Sequence, residues 1–360
     1  MLHDWNNCLT VRIQRQTRTA NEFGHNEHPS DEFCFLGPVW RIGNRVLPCL
    51  YRQIAGNFWS GFYFYLIFNA HDSPVSEGTV SSLTLGLVAA LCWGFHDICA
   101  RFLSQRSPIS ACIFTVLLTG LVLHAGLTIT TGTLVMLPIR AVSFALGAGV
   151  FFVVATYGLY HAFQRGPVRL VAPLIAGYPI LSVSWAASQG TPISLFQWAA
   201  VGSVVTGVAI VAALSDTSTD ESPPKGPTIL YAVIAAIGFA GTFALGQKAA
   251  EISHEMPSTL VSRLMALGLV VGILLMLKHP FWPGKRALPW LVAMGIADGI
   301  ALLCVLSAGR LPDAKYAAVS SSLFGLLTIL LAWAFLKERM NTAQWAGCLI
   351  AFAGVGYLAL

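Results

Sequence analysis

Uncharged, predominantly apolar runs dominate the chain from residue 79 onward. They recur at 107–139, 141–164, 170–215, 226–247, 316–336 and 340–360. A membrane-spanning helix needs about 20 mostly apolar residues. On that scale the pattern predicts ten spans: 82–102, 110–130, 143–164, 168–187, 193–214, 228–248, 258–277, 287–308, 315–336 and 343–360. The 170–215 run is long enough for two of them, divided at Gln189-Gly190-Thr191-Pro192. Strands of a membrane barrel would show short alternating segments instead. The expected fold class is therefore an all-α polytopic membrane protein. Its short connections make neighbouring helices antiparallel. The longest interruption, 215–227, carries three acids and two adjacent prolines and reads as a flexible linker.

Residues 1–78 are unlike the rest. They hold six Arg, no Lys, seven Asp or Glu, four His and three Cys, and no run long enough to span. They lack the ordered regions of a signal peptide. The aromatic run 58–68 suits a headgroup interface, and His25, His28 and Cys34 have no second ligand pair to complete a metal site. The segment reads as a poorly ordered extension or as upstream sequence from a misassigned start.

Composition agrees with the pattern. The 360 residues are 56% hydrophobic and 10% charged, with mean hydropathy +0.69, whereas soluble domains carry about 25% charged residues. That excludes a soluble enzyme. The net charge of +5 forms no basic stripe, so nucleic acid is not an expected partner. The eight cysteines include no C-x-x-C pair, and those in spans behave as small hydrophobes.

The chain repeats itself. Gln197-Trp198-Ala199 and Gly207-Val208 recur as Gln344-Trp345-Ala346 and Gly354-Val355 at a shift of 147. Ala89-Ala90 recurs as Ala235-Ala236 at a shift of 146. The same shift sets Ser82, Gly86, Ala90 and Gly94 over Thr228, Ala232, Ala236 and Ala240. Small residues every fourth position line one helix face and admit a close neighbour. The organisation expected is an extension (1–78), a first five-helix repeat (79–214), a linker (215–227) and a second repeat (228–360). With five spans per half, the second half enters the membrane from the opposite side. Inverted repeats of this kind are common in secondary transporters.

Two tandem five-helix halves, each closing with the Gln-Trp and Gly-Val pattern, resemble the EamA family of the drug/metabolite transporter superfamily. The Phe335-Leu336-Lys337-Glu338-Arg339 turn before Gln344 resembles the acidic turn of that family. In the first half Thr191 stands where the second has Glu338. The resemblance implies transport of small metabolites and both termini in the cytoplasm. The positive-inside count does not favour that orientation. Ten basic residues fall in the loops it places outside and four in those inside, and the six Arg of 1–78 bring the count to a tie.

Ionisable groups inside spans are costly and mark candidate sites. Asp298 lies near the middle of span 8. With few cations in view, it is expected to be protonated or to face water, either as a proton-carrying or cation-binding carboxylate or as a polar contact between helices. His96 and Asp97 lie in span 1, where Trp93, Asp97 and Arg101 share a face; either Asp97 pairs with Arg101 or it belongs to a substrate or proton site walled by Trp93. Tyr157 and Tyr160 with His161 end span 3. Tyr178-Pro179 interrupts span 4. Ser320, Ser321 and Ser322 occupy span 9 and either bind a polar substrate or hydrogen-bond neighbouring backbone. Arg263 in span 7 either holds an anionic group or snorkels to headgroups. His124 reads as a packing histidine.

No catalytic triad, P-loop or metal motif occurs, so no cofactor is expected. The expected function is a secondary transporter of a small polar metabolite, amino-acid-like or vitamin-like, working by alternating access, with proton coupling left open. The expected partners are the small-molecule substrate and the bilayer of a bacterial inner membrane; a homodimer is left open. The alternatives are a membrane-embedded lipid-modifying enzyme, built on His161 and Asp97, and a non-transporting sensor or scaffold.

Overall fold

The computed structural model describes residues 76–188, 190, 192–214, 225–308 and 320–358. The expectations for the extension up to residue 75, and those for 215–224, lie outside the described residues. Eleven α-helices carry labels here: α1 Ser76–Leu103, α2 Ile109–Thr130, α3 Ile139–Arg165, α4 Val168–Ala176, α5 Tyr178–Ser188, α6 Leu195–Leu214, α7 Lys225–Ile252, α8 Glu255–Met276, α9 Leu288–Ala308, α10 Phe324–Leu331 and α11 Thr342–Leu358. A π-helical turn, Ala332–Leu336, continues α10.

Among the described residues there is no strand, and seven helical segments are long and apolar enough to cross a membrane. They lie in α1, α2, α3, α6, α7, α8 and α9, and three shorter apolar stretches, Val168–Leu181, Ser320–Leu336 and Thr342–Leu358, accompany them. Large apolar side chains cover the outer surface, Val122, Ile129, Val205 and Leu275 each being more than half exposed. Apolar cover on that scale is incompatible with a water-facing surface and fits lipid. The protein is an integral membrane protein.

Span 4, expected to be interrupted at Tyr178-Pro179, is two helices, α4 and α5. Pro179 has no N–H to give the Ile175 carbonyl, and the helix breaks at Gly177, whose own N–H reaches back to the Pro173 and Leu174 carbonyls. Helix also breaks at Leu323, just before α10. The two breaks are 146 residues apart.

The same shift organises the packing. A Cβ added at Gly149 of α3 would stand 2.8 Å from Met265 Cβ of α8 and against the Ser262 carbonyl. At Gly295 of α9, 146 residues on, it would stand 2.6 Å from the Val116 carbonyl and 2.7 Å from Thr119 Cβ of α2. Val116 and Thr119 are themselves 146 residues before Ser262 and Met265. Both predicted small-residue stripes are buried. The contacts are pseudo-two-fold, and the strongest run between the halves: α1 against α9, α7 against α3, and α6 against α11. Each half completes the packing of the other.

The repeated Gln has a local task. Gln344 Oε1 accepts the Asn341 N–H at 2.9 Å, while Asn341 Oδ1 accepts the Gln344 N–H at 2.8 Å. Ser194 and Gln197 make the same exchange in the first half. This reciprocal cap satisfies two amides at the start of α11 and of α6. Gln344 Nε2 also donates to the Leu214 carbonyl at the end of α6.

The acidic turn serves the opposite half. Lys337 takes a left-handed conformation (φ 56°). Glu338 then accepts the Val168 and Arg169 amides at 3.0 and 3.2 Å, capping the N-terminus of α4 with a full negative charge. Glu338→Ala is expected to cost about 1–2 kcal/mol, with Glu338→Gln falling between Ala and wild type in thermal unfolding. Equal midpoints for all three proteins would remove the capping role.

Candidate functional site

Helical spacing places Trp93, His96 and Asp97 of α1 on one face. That face borders a cavity lined also by Tyr160 of α3, Tyr178 at the start of α5 and Asp298 of α9. Aromatic walls complete it: Phe152 from α3, Phe239 and Phe243 from α7, and Phe324 from α10. Both halves therefore contribute to one enclosure. The cavity volume is ≈ 60 Å³.

Asp298 is held from two sides. Its Oδ2 accepts from Arg263 Nη2 at 2.7 Å, and its Oδ1 accepts from Trp93 Nε1 at 3.3 Å. Arg263 is 3% exposed. This corrects the expectation that Asp298 lacks a nearby cation and the reading that Arg263 snorkels to headgroups. The guanidinium fits because Gly120 of α2 has no side chain. A Cβ there would collide with Arg263 Nη1. The guanidinium carbon also lies 5.8 Å from the Phe152 ring centroid, within reach of a cation–π attraction.

Asp97 has softer partners. Its Oδ1 lies 3.3 Å from His96 Nδ1, and its Oδ2 lies 3.3 Å from the Thr328 hydroxyl. Thr328 has one hydroxyl proton and also approaches the Phe324 carbonyl at 2.8 Å. The expected pairing of Asp97 with Arg101 does not form. Arg101 Nη1 instead donates to the Phe163 and Gln164 carbonyls at the end of α3. A cation at a helix C-terminus is favoured there by the aligned peptide dipoles.

The other predicted residues divide. Tyr178 lines the cavity, its ring 5.1 Å from Phe243. Tyr160 is 1% exposed, and its hydroxyl has no hydrogen-bond partner among the described residues. Tyr157 is not among the lining residues and stacks on His161, which stacks in turn on Tyr231 of α7. The histidine and carboxylate of the enzyme alternative thus keep different neighbours. Ser320, Ser321 and Ser322 are buried but do not line the cavity, and Ser320 Oγ donates to the Leu83 carbonyl of α1. His124 packs as expected, with Nε2 donating to the Gly299 carbonyl at 3.2 Å.

Sequence reading missed the apolar members. Phe152, Phe239 and Phe243 carry no charge to attract attention. The repeat shift alone was able to locate them, because they lie 146 residues from Asp298, Trp93 and Asp97 respectively. Leu117 stands in the same relation to Arg263, and Tyr178 to Phe324. All but Arg263 line the cavity.

A duplicated set of apolar helices lining, between its halves, a largely apolar cavity with two carboxylates on its wall defines a polytopic membrane protein with an internal site. The chain belongs to the EamA-like transporter family, whose model matches residues 80–213 and again 226–360. The two repeats and the helical fold fit the drug/metabolite transporter superfamily. No relative was found among curated proteins. A crystal structure described simply as that of a protein superposes with TM-score 0.57 at 18% identity, over 77% of this chain and 95% of its own. That likeness concerns the fold.

Proposed function

We propose that the protein is a secondary transporter that carries a small metabolite through this cavity by alternating access. In this reading ten helices or broken helices cross a bacterial inner membrane as two inverted repeats, with the short apolar stretches acting as discontinuous spans. The observation that carries the reading is the enclosure itself: carboxylates and aromatic rings from both halves meet beside two helix breaks at corresponding positions. Discontinuous helices paired in this way mark binding sites in transporters built from repeats. Proton coupling has a structural opening at Asp97. A proton on its carboxyl group lets it donate to Thr328 Oγ1 while the hydroxyl serves the Phe324 carbonyl, so both contacts are made at once.

Proteoliposome uptake over a panel of small metabolites, with and without an imposed proton gradient, tests this reading. At least one compound is expected to accumulate faster than in empty vesicles. Asp298→Asn is expected to lower that flux by about tenfold or more, because the carboxylate orders both Arg263 and Trp93. Flux equal to wild type in folded Asp298→Asn protein would separate the cavity from transport.

A further inference from the structure

The repeat that builds the cavity also divides it chemically. The pseudo-two-fold carries Trp93, Asp97, Arg263 and Asp298 onto Phe239, Phe243, Leu117 and Phe152. One side holds every ionisable group of this set, and the other is wholly apolar. A duplicated scaffold has thus become a two-faced receptor.

The charge of the polar side is unequal. Arg263 balances Asp298 at 2.7 Å. Asp97 is 4% exposed and meets an imidazole and a hydroxyl; among the described residues no Lys or Arg pairs with it. When it gives up its proton, a buried carboxylate of this kind calls for a compensating positive group. In the same cavity, Tyr160 offers a buried hydroxyl without a partner among the described residues, its ring 6.1 Å from that of His96. Arg263 keeps Nε and Nη1 unpartnered among the described residues, Nη1 against Gly120, but Arg263 is not among the residues lining the cavity, so its free N–H groups do not line the space open to a ligand.

Resting on the transport reading of this cavity, we propose that its substrate is an amphipathic organic monocation. A primary ammonium binds at Asp97 and Tyr160, and an apolar body lies against Phe152, Phe239 and Phe243. The ammonium N–H groups satisfy the Asp97 carboxylate and the Tyr160 oxygen together. The aromatic walls add cation–π attraction near the head and exclude water around the body.

Calorimetric titration of the purified full-length protein tests the assignment with three probes: 2-phenylethylammonium, ethylammonium and 3-phenylpropionate. The first is expected to bind at least tenfold more tightly than the second, and the third not to bind. Asp97→Asn is expected to weaken both ammonium probes at least tenfold. Phe243→Ala is expected to weaken 2-phenylethylammonium about fivefold and to leave ethylammonium unchanged. Binding of 3-phenylpropionate as tight as that of 2-phenylethylammonium, unaltered affinity in Asp97→Asn, or no binding of either ammonium overturns the proposal. If Asp97→Asn does not fold, the wild-type comparison and Phe243→Ala decide it. Vesicle flux keeps the two readings apart. Transport of other metabolites, unaffected by 2-phenylethylammonium, overturns the substrate class alone. Tight, Asp97-dependent ammonium binding without flux of any probe or metabolite overturns the transport reading alone.

Discussion

Replacing Arg263 with methionine is expected to lower stability by about 3–5 kcal/mol, the usual cost of removing one partner from a buried ion pair. The loss arises because Asp298 stays in the membrane interior with Trp93 Nε1 as its one remaining donor among the described residues. Removing both charges is a different experiment. In Arg263→Met combined with Asp298→Leu no buried charge is stranded, and most of the loss is expected to return. Unfolding in a fixed detergent, followed by tryptophan fluorescence, compares the single and double variants. A single variant within about 1 kcal/mol of wild type, below the range for breaking a buried pair, would show that the pair is not closed in the folded protein. Gly120→Ala should reproduce part of the effect, since its methyl group takes the place of the guanidinium.

The second large effect is expected where α6 meets α11. A Cβ at Gly207 would lie 2.6 Å from the Ala351 amide nitrogen and against the Gly347 carbonyl, and one at Gly354 would lie 2.6 Å from the Ala200 carbonyl. These are symmetry-related contacts between backbones, which cannot swing aside as a side chain can. Gly207→Val and Gly354→Val are each expected to cost about 3 kcal/mol. Gly202 is the control: it lies on the same helix with nothing within 4 Å of an added Cβ, so Gly202→Ala should be neutral or gain up to about 1 kcal/mol of helix propensity. Thermal midpoints of the three variants check the pattern. Equal loss in Gly202→Ala would point to a general intolerance of α6 rather than to this contact.

The helices, the duplication and its register were readable in the chain because each is a one-dimensional property: run length, charge-free extent, and recurrence at a fixed shift. Asp298, His96 and Asp97 stood out for the same reason, as polar groups in apolar surroundings. Pairing was not readable. Arg263 and Asp298 are 35 residues apart on consecutive helices, and whether they meet depends on the rotation of each helix about its axis. That rotation is set by packing, here by Gly120 opening space for the guanidinium. Arg101 shows the converse. Its spacing of four from Asp97 suits an ion pair, yet the end of α3 offers carbonyls that claim it first. Span 4 was marked as interrupted by Pro179, but the position of the break at Gly177 follows from which carbonyl loses its donor. Thr328 and the phenylalanine walls are ordinary residues for a membrane helix, and their neighbours in space alone make them part of the site.

The interleaving of the halves has a consequence for biosynthesis. Trp93 and Asp298 are separated by 205 residues, so α1 enters the bilayer long before α9 exists. At about 5–20 residues per second, its main packing face waits roughly 10–40 s for a partner. During that interval Asp97 and the small-residue stripe of the first half face lipid or the insertion machinery. The first half is thus expected to pass through the membrane with its main packing face still uncovered. Producing the two halves as separate polypeptides in one cell should restore the protein only when both are present together.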